Sequence, residues 1–285
     1  MNQAAQTNIT IAEPETGSTD IEKAEGAPRA FRDIPCLDGE YVGYILWQRK
    51  QFGNSFAVAR DALDDAETRA EGLPIRFPSI EVDRKCSLLH SGKKLFASVI
   101  DAGLWGHLMK HSGMKVFLGK AASDHWDETL DRLEAQELTP DNIEAVFREL
   151  YENRDGLFEH GVIEFFRFKS WNGRTDQPQQ LGKRLTLFGV FSEYGSVDYR
   201  QSAWLDELMR IFYVLDGKLE GIPDCGIQVA LRDAKAAGVD LRNEYVRVRS
   251  FQNGNVHVFF LRPDLVGKMN SIAVKHYPNA LPPAK

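Results

Sequence analysis

Apolar side chains recur at helical spacing through the first half of the chain. Between Asp38 and Ala70 they fall three, four or seven positions apart, which predicts one long helix or two joined helices with a single apolar stripe. Gly53 lies inside this segment and is the expected break or kink. The stripe needs a surface to pack against, and it is also a candidate contact between copies of the chain. Its members are Ile45, Phe52, Phe56, Ala59, Leu63 and Ala66.

Three more helices are predicted before residue 151. The first spans about 94–111 and is stopped by a Ser-Gly pair, and the second, at 125–133, is short and amphipathic. The third is the best defined, because Thr139 can cap it and Pro140 suits a first helical turn. Apolar residues then follow at helical spacing: Ile143, Val146, Phe147 and Leu150.

The pattern turns toward strands after Gly161. The segments 162–168 and 185–191 are rich in β-branched and aromatic residues, so they predict two strands that could pair as a long-looped hairpin. The strongest hairpin signal is 244–260, where apolar and polar residues alternate on both sides of Asn253-Gly254, a pair that favours a two-residue type I′ turn. A short edge strand is predicted at 73–84. Further helices are predicted at 204–215, 227–237 and 262–277.

These elements predict an α+β protein in three parts. Residues 1–30 form a disordered acidic tail, because they are charged, rich in small residues and poor in large apolar ones. Residues 31–138 form a mainly helical region. Residues 139–285 form a mixed α+β domain with antiparallel hairpins.

Composition limits the class of protein and the cellular compartment that we expect. With 285 residues and 43% hydrophobic side chains the chain can bury a sizeable core. It has no apolar run long enough to cross a membrane and no secretory signal at its start, so no membrane partner is expected. Its three cysteines are far apart, which fits a reducing cytoplasm. We therefore expect a cytoplasmic protein.

Charge is segregated along the chain. Residues 120–160 carry twelve acidic side chains against four basic ones, whereas 241–285 carry seven basic against two acidic. The acidic run is typical of solvated helix faces, but it could also mimic a DNA backbone. The sequence leaves both interpretations open.

The motifs of common enzyme classes are missing. There is no glycine-rich phosphate loop, no dinucleotide-binding motif and no nucleophile elbow, so we predict neither a catalytic residue nor a cofactor. His107 and His111 have zinc-ligand spacing, but Leu108 stands where a metalloprotease needs glutamate, so we predict no metal site. A magnesium nuclease built from Glu159, Glu164 and the pair Lys183-Arg184 is a weaker alternative.

The candidate binding residues are basic and aromatic. Arginines interleaved with aromatic rings on a hairpin can hold phosphates and stack on bases, although solvent-facing sheet residues look the same. The set is Lys183, Arg184, Tyr245, Arg247, Arg249 and His257, with Phe259 nearby. Four tryptophans are candidate anchors of a protein interface: Trp105, Trp126, Trp171 and Trp204.

Three stretches resemble a known family. They are ELYENRDGLFEHGVIE at 149–164, LGKRL at 181–185, and the motifs NGNVH, RPDLV and HYP between 253 and 278. The chain is similar over about 105–283 to a family of phage, prophage and plasmid proteins described as a domain of unknown function. Some relatives are linked to DNA adenine methyltransferases, but the motifs of that activity are missing here. In size and setting the chain also resembles phage proteins that block the Gabija defence complex, a bacterial nuclease and ATPase.

Two hypotheses about function follow. The resemblance implies a non-enzymatic interaction protein of mobile-element origin that binds and inhibits a host defence complex of the Gabija type, with a homo-oligomer as a further expectation. The alternative is a DNA-binding or DNA-processing protein, associated with a methyltransferase, that uses the basic C-terminal hairpin.

Overall fold

The computed structural model describes residues 31, 34–69, 88–173, 180–218 and 226–278. The predicted acidic tail at 1–30 and the predicted edge strand at 73–84 lie outside these residues. No helix in the described ranges is long and apolar enough to span a membrane.

The described residues form an α+β fold, as predicted. Helices dominate the first half, and a four-stranded antiparallel sheet lies in the second. The elements are α1 (Gly39–Arg69), α2 (Leu88–His111), a 3-10 helix (Met114–Phe117), α3 (Lys120–Asp131), α4 (Pro140–Gly173), β1 (Arg184–Leu187), α5 (Tyr199–Leu215), α6 (Ile227–Ala236), β2 (Leu241–Arg242), β3 (Val246–Ser250), β4 (Val256–Phe260) and α7 (Pro263–His276).

Helix α1 is continuous, so the predicted break at Gly53 is wrong. Gly53 is exposed, and a methyl group added there would meet nothing within 4 Å. A glycine on the solvent side of a long helix costs about 1 kcal/mol relative to alanine but does not by itself end the helix. Some residues of the apolar stripe of α1 are buried or packed against α2, and others are exposed. Ile45 is buried and Phe56 stacks on Phe96 of α2, whereas Phe52 is exposed.

The predicted strand at 162–168 is also wrong, because this segment is the second half of α4. Val162, Ile163, Phe165 and Phe166 are all buried. The β-branched and aromatic composition of this segment favours a strand, but His160, Glu164 and Arg167 recur at helical spacing and mark the polar side of α4. Without a strand at 162–168, β1 pairs with β4 instead. The sheet order is β1-β4-β3-β2, and every neighbouring pair is antiparallel.

The β3–β4 hairpin is confirmed, but its turn differs from the predicted two-residue type. The Phe251 N–H donates to the Asn255 carbonyl (3.0 Å) and the Gly254 N–H donates to the Phe251 carbonyl (3.2 Å), which leaves a three-residue loop between Phe251 and Asn255. Gly254 has φ +79°, whereas Asn253 is not among the residues with positive φ. A type I′ turn needs positive φ at both central residues, so this loop is the type I turn followed by a left-handed glycine.

Helix α4 joins two hydrophobic cores. Its first half, with Ile143 and Phe147, packs with α1 and α2, while its second half packs with the sheet, α5 and α7. Its start is the predicted one, because the Thr139 hydroxyl accepts a hydrogen bond from the Asn142 backbone (3.2 Å). Arg210 of α5 also links the two cores by donating to the Val116 carbonyl (2.5 Å) of the 3-10 helix.

Candidate functional site

The sheet has one buried face and one face that points outward. The inner positions of β1, β3 and β4 are apolar and fully or almost fully buried against the helices. They are Leu185, Leu187, Val246, Val248, Val256 and Val258. Because side chains alternate along a strand, the remaining positions lie on the other face.

This outer sheet face is rich in arginine. We define it by Arg184 and Thr186 of β1, Arg242 of β2, Arg247 and Arg249 of β3, His257 and Phe259 of β4, and Phe251, which follows β3. The strand register brings these residues together, since residues directly opposite on antiparallel strands share a face. Phe259 lies opposite both Arg184 and Arg247, and His257 lies opposite both Thr186 and Arg249.

Most of this positive charge has no carboxylate partner. Arg247 is half-buried and pairs with Asp240 at 3.3 Å. Arg184, Arg242 and Arg249 are exposed, and within the described ranges none of the three forms an ion pair. Arg242 lies directly opposite Arg247, and like charges in that position destabilise a sheet. The face therefore concentrates cations at some cost to folding.

Three partly exposed rings form a row on this face. The centroids of Phe251 and His257 are 4.4 Å apart, and those of His257 and Phe259 are 6.2 Å apart. The Arg247 guanidinium lies over the Phe259 ring at 4.4 Å, and the Arg249 guanidinium lies 6.0 Å from the Phe251 ring. The arrangement offers planar surfaces and positive charge side by side.

The environment of His257 disfavours its charged form. Burial lowers the pKa of His257, and the positive charges of Arg184 and Arg249 lower it further. An anion bound to these arginines would raise the pKa of His257. The pKa of this imidazole therefore depends on the charge of the outer sheet face.

Of the six predicted binding residues, the sheet brings four together: Arg184, Arg247, Arg249 and His257. Lys183 is exposed immediately before β1, where its carbonyl accepts from the Phe260 backbone (3.3 Å). Tyr245 lies in the core. Its ring packs against Phe212 and Tyr213, and its hydroxyl donates to Asp216 at 3.1 Å.

Arg262, a further cation of the basic C-terminal segment, is held in ion pairs. It contacts Asp216 at 2.7 Å and Asp264 at 2.8 Å. The hydrogen bonds from Arg262 and Lys218 hold the pKa of Asp216 below its ordinary value. These ion pairs link the end of α5 to the start of α7. Arg262 is not part of the outer sheet face.

The nuclease residues weighed from the sequence do not converge. Glu159 pairs with Lys275 (2.7 Å) and His276 (3.2 Å) of α7, and the hydrogen bond from Lys275 lowers its pKa. Glu164 instead accepts from the Ala121 backbone at 3.3 Å. The two glutamates are engaged at different helix contacts, and Lys183 lies immediately before β1.

The paired histidines pack against α1. The Tyr41 ring stacks on His111 at 3.9 Å, and the Tyr41 hydroxyl hydrogen-bonds to Nε2 of His107. Across the described parts of the chain, no group of three or more histidine, cysteine, aspartate or glutamate side chains is placed to hold a metal ion.

Two of the tryptophans considered as interface anchors lie in the core of the helical region. Trp105 is buried, with its indole N–H donating to the Gln136 carbonyl (2.8 Å), and Trp126 packs edge-on against it. Trp204 stacks on Phe168 at 4.1 Å beside a cleft of about 430 Å³. Other aromatic residues are exposed, and they include Tyr44, Trp47 and Phe52, each nearly half exposed on α1.

The acidic run forms several local ion pairs. Helix α3 has Lys120–Asp124 (2.7 Å), and Arg132, which follows the helix, pairs back to Glu128 (3.2 Å); both pairs are one helical turn apart. Helix α4 has Arg148–Glu144 at 2.6 Å. This is the pattern of solvated helix faces.

Sequence comparison identifies one family. Residues 97–279 match the model of a family described as Domain of unknown function (DUF4942), and this range contains most of α2, all of α3 to α7 and the whole sheet. The match covers more than half of the chain. No curated protein and no solved structure matches the chain.

Proposed function

The chain belongs to the DUF4942 family, and we propose that it binds nucleic acid through the outer sheet face. The observation that carries this proposal is the placement of Arg184, Arg242 and Arg249 on one face of one sheet, with none of them in an ion pair among the described residues. The face lies within the part of the chain that defines the family.

Phosphate is the ligand chemistry that suits this arrangement. Arginine presents several N–H donors in a fixed plane and stays charged at any physiological pH, so a group of arginines can hold successive phosphates of a backbone. The net charge of the chain is −6, so the molecule as a whole repels a polyanion. Binding therefore requires a local concentration of cations, and the outer sheet face supplies one.

The test is a titration of fluorescent DNA with the purified protein, monitored by anisotropy at low salt. We expect Arg249→Ala to weaken binding about fivefold or more, because it removes a phosphate contact. The matched control is Arg132→Ala, which changes net charge equally but lies directly after α3, where Arg132 pairs with Glu128. An equal effect of both variants would show that only net charge matters and would remove the sheet from the site.

A second candidate is a protein partner, and one observation favours it. Tyr44 and Trp47 are nearly half exposed on α1, with their rings 6.4 Å apart, and exposed aromatic pairs are frequent anchors of interfaces. This candidate retains the mobile-element hypothesis, in which a cytoplasmic protein inhibits a host defence complex of the Gabija type. Co-elution with such a complex, lost in Trp47→Ala, would support it. The absence of a co-eluting species would count against it.

A further inference from the structure

We infer that the outer sheet face binds single-stranded nucleic acid in preference to duplex, with bases stacked on Phe259, His257 and Phe251. This inference rests on the proposed function and names its substrate class. Arginines alone would bind the phosphates of single strands and duplexes alike. The preference for single strands comes from the aromatic rings.

Two of the rings occupy the middle of the face, with cations on both sides. His257 and Phe259 lie on β4, which is an inner strand of the sheet, and Phe251 extends the row at the end of β3. Arg184 lies on β1 on one side of β4, and Arg247 and Arg249 lie on β3 on the other, with Arg242 beyond them on β2. Neighbouring strands are about 4.8 Å apart, so Arg184 lies about 10 Å from the arginines of β3. A strand laid along β4 would place its bases on the rings and its phosphates toward one row of arginines.

A duplex cannot use this arrangement. Its bases are paired and stacked on one another, and its phosphates are outermost, so it would meet the arginines while leaving the rings without a partner. A single strand can turn its bases outward onto aromatic side chains. The ring row is three residues long, so it can contact two or three bases.

The Arg247 guanidinium lies over the Phe259 ring in the free protein. This contact does not block the site, because the attraction of a partly exposed cation to a ring is no stronger than the stacking of a base on that ring. A base can displace the guanidinium, which then turns toward a phosphate, or it can stack on the guanidinium plane itself. Both arrangements keep the base at the centre of the face.

The experiment compares a fluorescent 15-nucleotide DNA of mixed sequence with the same strand annealed to its complement. We expect the single strand to bind about tenfold more tightly than the duplex at the same salt concentration. Phe259→Leu should weaken single-strand binding about fivefold or more and leave duplex binding unchanged, because leucine preserves an apolar contact but offers no ring. The matched control is Phe52→Leu on the exposed side of α1, which should change neither.

The possible results separate the inference from the proposed function. Equal affinity for both DNAs, lowered by Arg249→Ala but not by Phe259→Leu, would overturn the single-strand inference and leave nucleic-acid binding in place. No binding of either DNA would overturn both. A thermal melt of each variant distinguishes a lost contact from a lost fold, and since Phe259 is partly exposed we expect an unchanged transition.

Discussion

Phe259 lies directly opposite Arg247 on neighbouring strands, with the Arg247 guanidinium 4.4 Å from the centre of its ring. Arg184 lies opposite Phe259 on its other side. One aromatic ring is thus bracketed by two arginines from two strands that are distant in the sequence. This unit of the outer sheet face is assembled by the fold and not by local sequence.

Arg242 and Arg247 face each other across β2 and β3, so we expect the site to reduce stability. Arg242→Glu should raise the free energy of unfolding by about 0.5 kcal/mol, because it replaces a like-charge pair by an opposite-charge pair. The same change should weaken DNA binding. Urea denaturation and anisotropy measure the two effects, and a variant that is less stable than the wild type would contradict the idea that the cations repel each other.

The pKa of His257 should change when DNA binds to the outer sheet face. Burial and the charges of Arg184 and Arg249 lower its pKa in the free protein, and bound phosphate would offset the arginine charges. We therefore expect DNA to raise the pKa of His257, which can be followed by NMR titration of its ring protons. Because bound DNA then favours the protonated form, linkage requires DNA affinity to increase as the pH falls through this pKa. A pKa that is the same with and without bound DNA would place the ligand elsewhere.

A close glycine contact joins α3 to α4. A methyl group added at Gly161 would lie 2.7 Å from the Gly119 Cα and 2.8 Å from Nη2 of Arg210. Overpacking costs about 1–3 kcal/mol, which exceeds the gain of about 1 kcal/mol in helix propensity, so Gly161→Ala should lower stability. Gly156→Ala is the matched control on the same helix. Nothing lies within 4 Å of its added methyl group, so it should raise stability. Equal transition temperatures for the two variants would contradict this packing.

Asp101 of α2 connects α1 and the segment before α4 through hydrogen bonds to its carboxylate. Its buried carboxylate accepts from Arg49 (2.5 and 2.9 Å) and from the Leu138 backbone (3.1 Å). Asp101→Ala leaves the Leu138 N–H without its acceptor and leaves Arg49 with Glu137 (3.1 Å) as its one remaining partner of the two, so we expect the free energy of unfolding, measured by urea denaturation, to fall by about 2–4 kcal/mol. Asp127→Ala removes an exposed pair with Lys115 and should cost less than about 1 kcal/mol. Similar losses for both would show that the Asp101 contacts add little.

Much of the fold could be predicted because its patterns are local. The alternation on both sides of Asn253-Gly254 identified the β3–β4 hairpin, and the cap at Thr139 located the start of α4. The second half of α4 was missed because β-branched and aromatic residues dominate 162–168. The helical spacing of His160, Glu164 and Arg167, which lie on its polar side, is visible only when this segment is taken together with the residues before it. The turn type was missed because Asn-Gly is compatible with more than one hairpin loop.

The candidate site could be predicted only in part, because only some of its residues are brought together by local sequence patterns. Alternation along β3 and β4 groups Arg247, Arg249 and His257 without knowledge of the fold. Arg184 joins them through the β1–β4 pairing, which connects residues more than seventy positions apart and has no local signal. Tyr245 has the parity of Arg247, but it precedes β3 and turns into the core against Phe212.

The salt dependence of DNA binding tests the central claim most directly. The logarithm of affinity should fall linearly with the logarithm of salt concentration, with a slope of about 2 to 4 for three or four phosphate contacts. The double variant Arg184→Ala/Arg249→Ala should reduce that slope by about two, and Arg132→Ala should leave it unchanged. If the double variant keeps the affinity and the slope of the wild type, the outer sheet face does not bind nucleic acid.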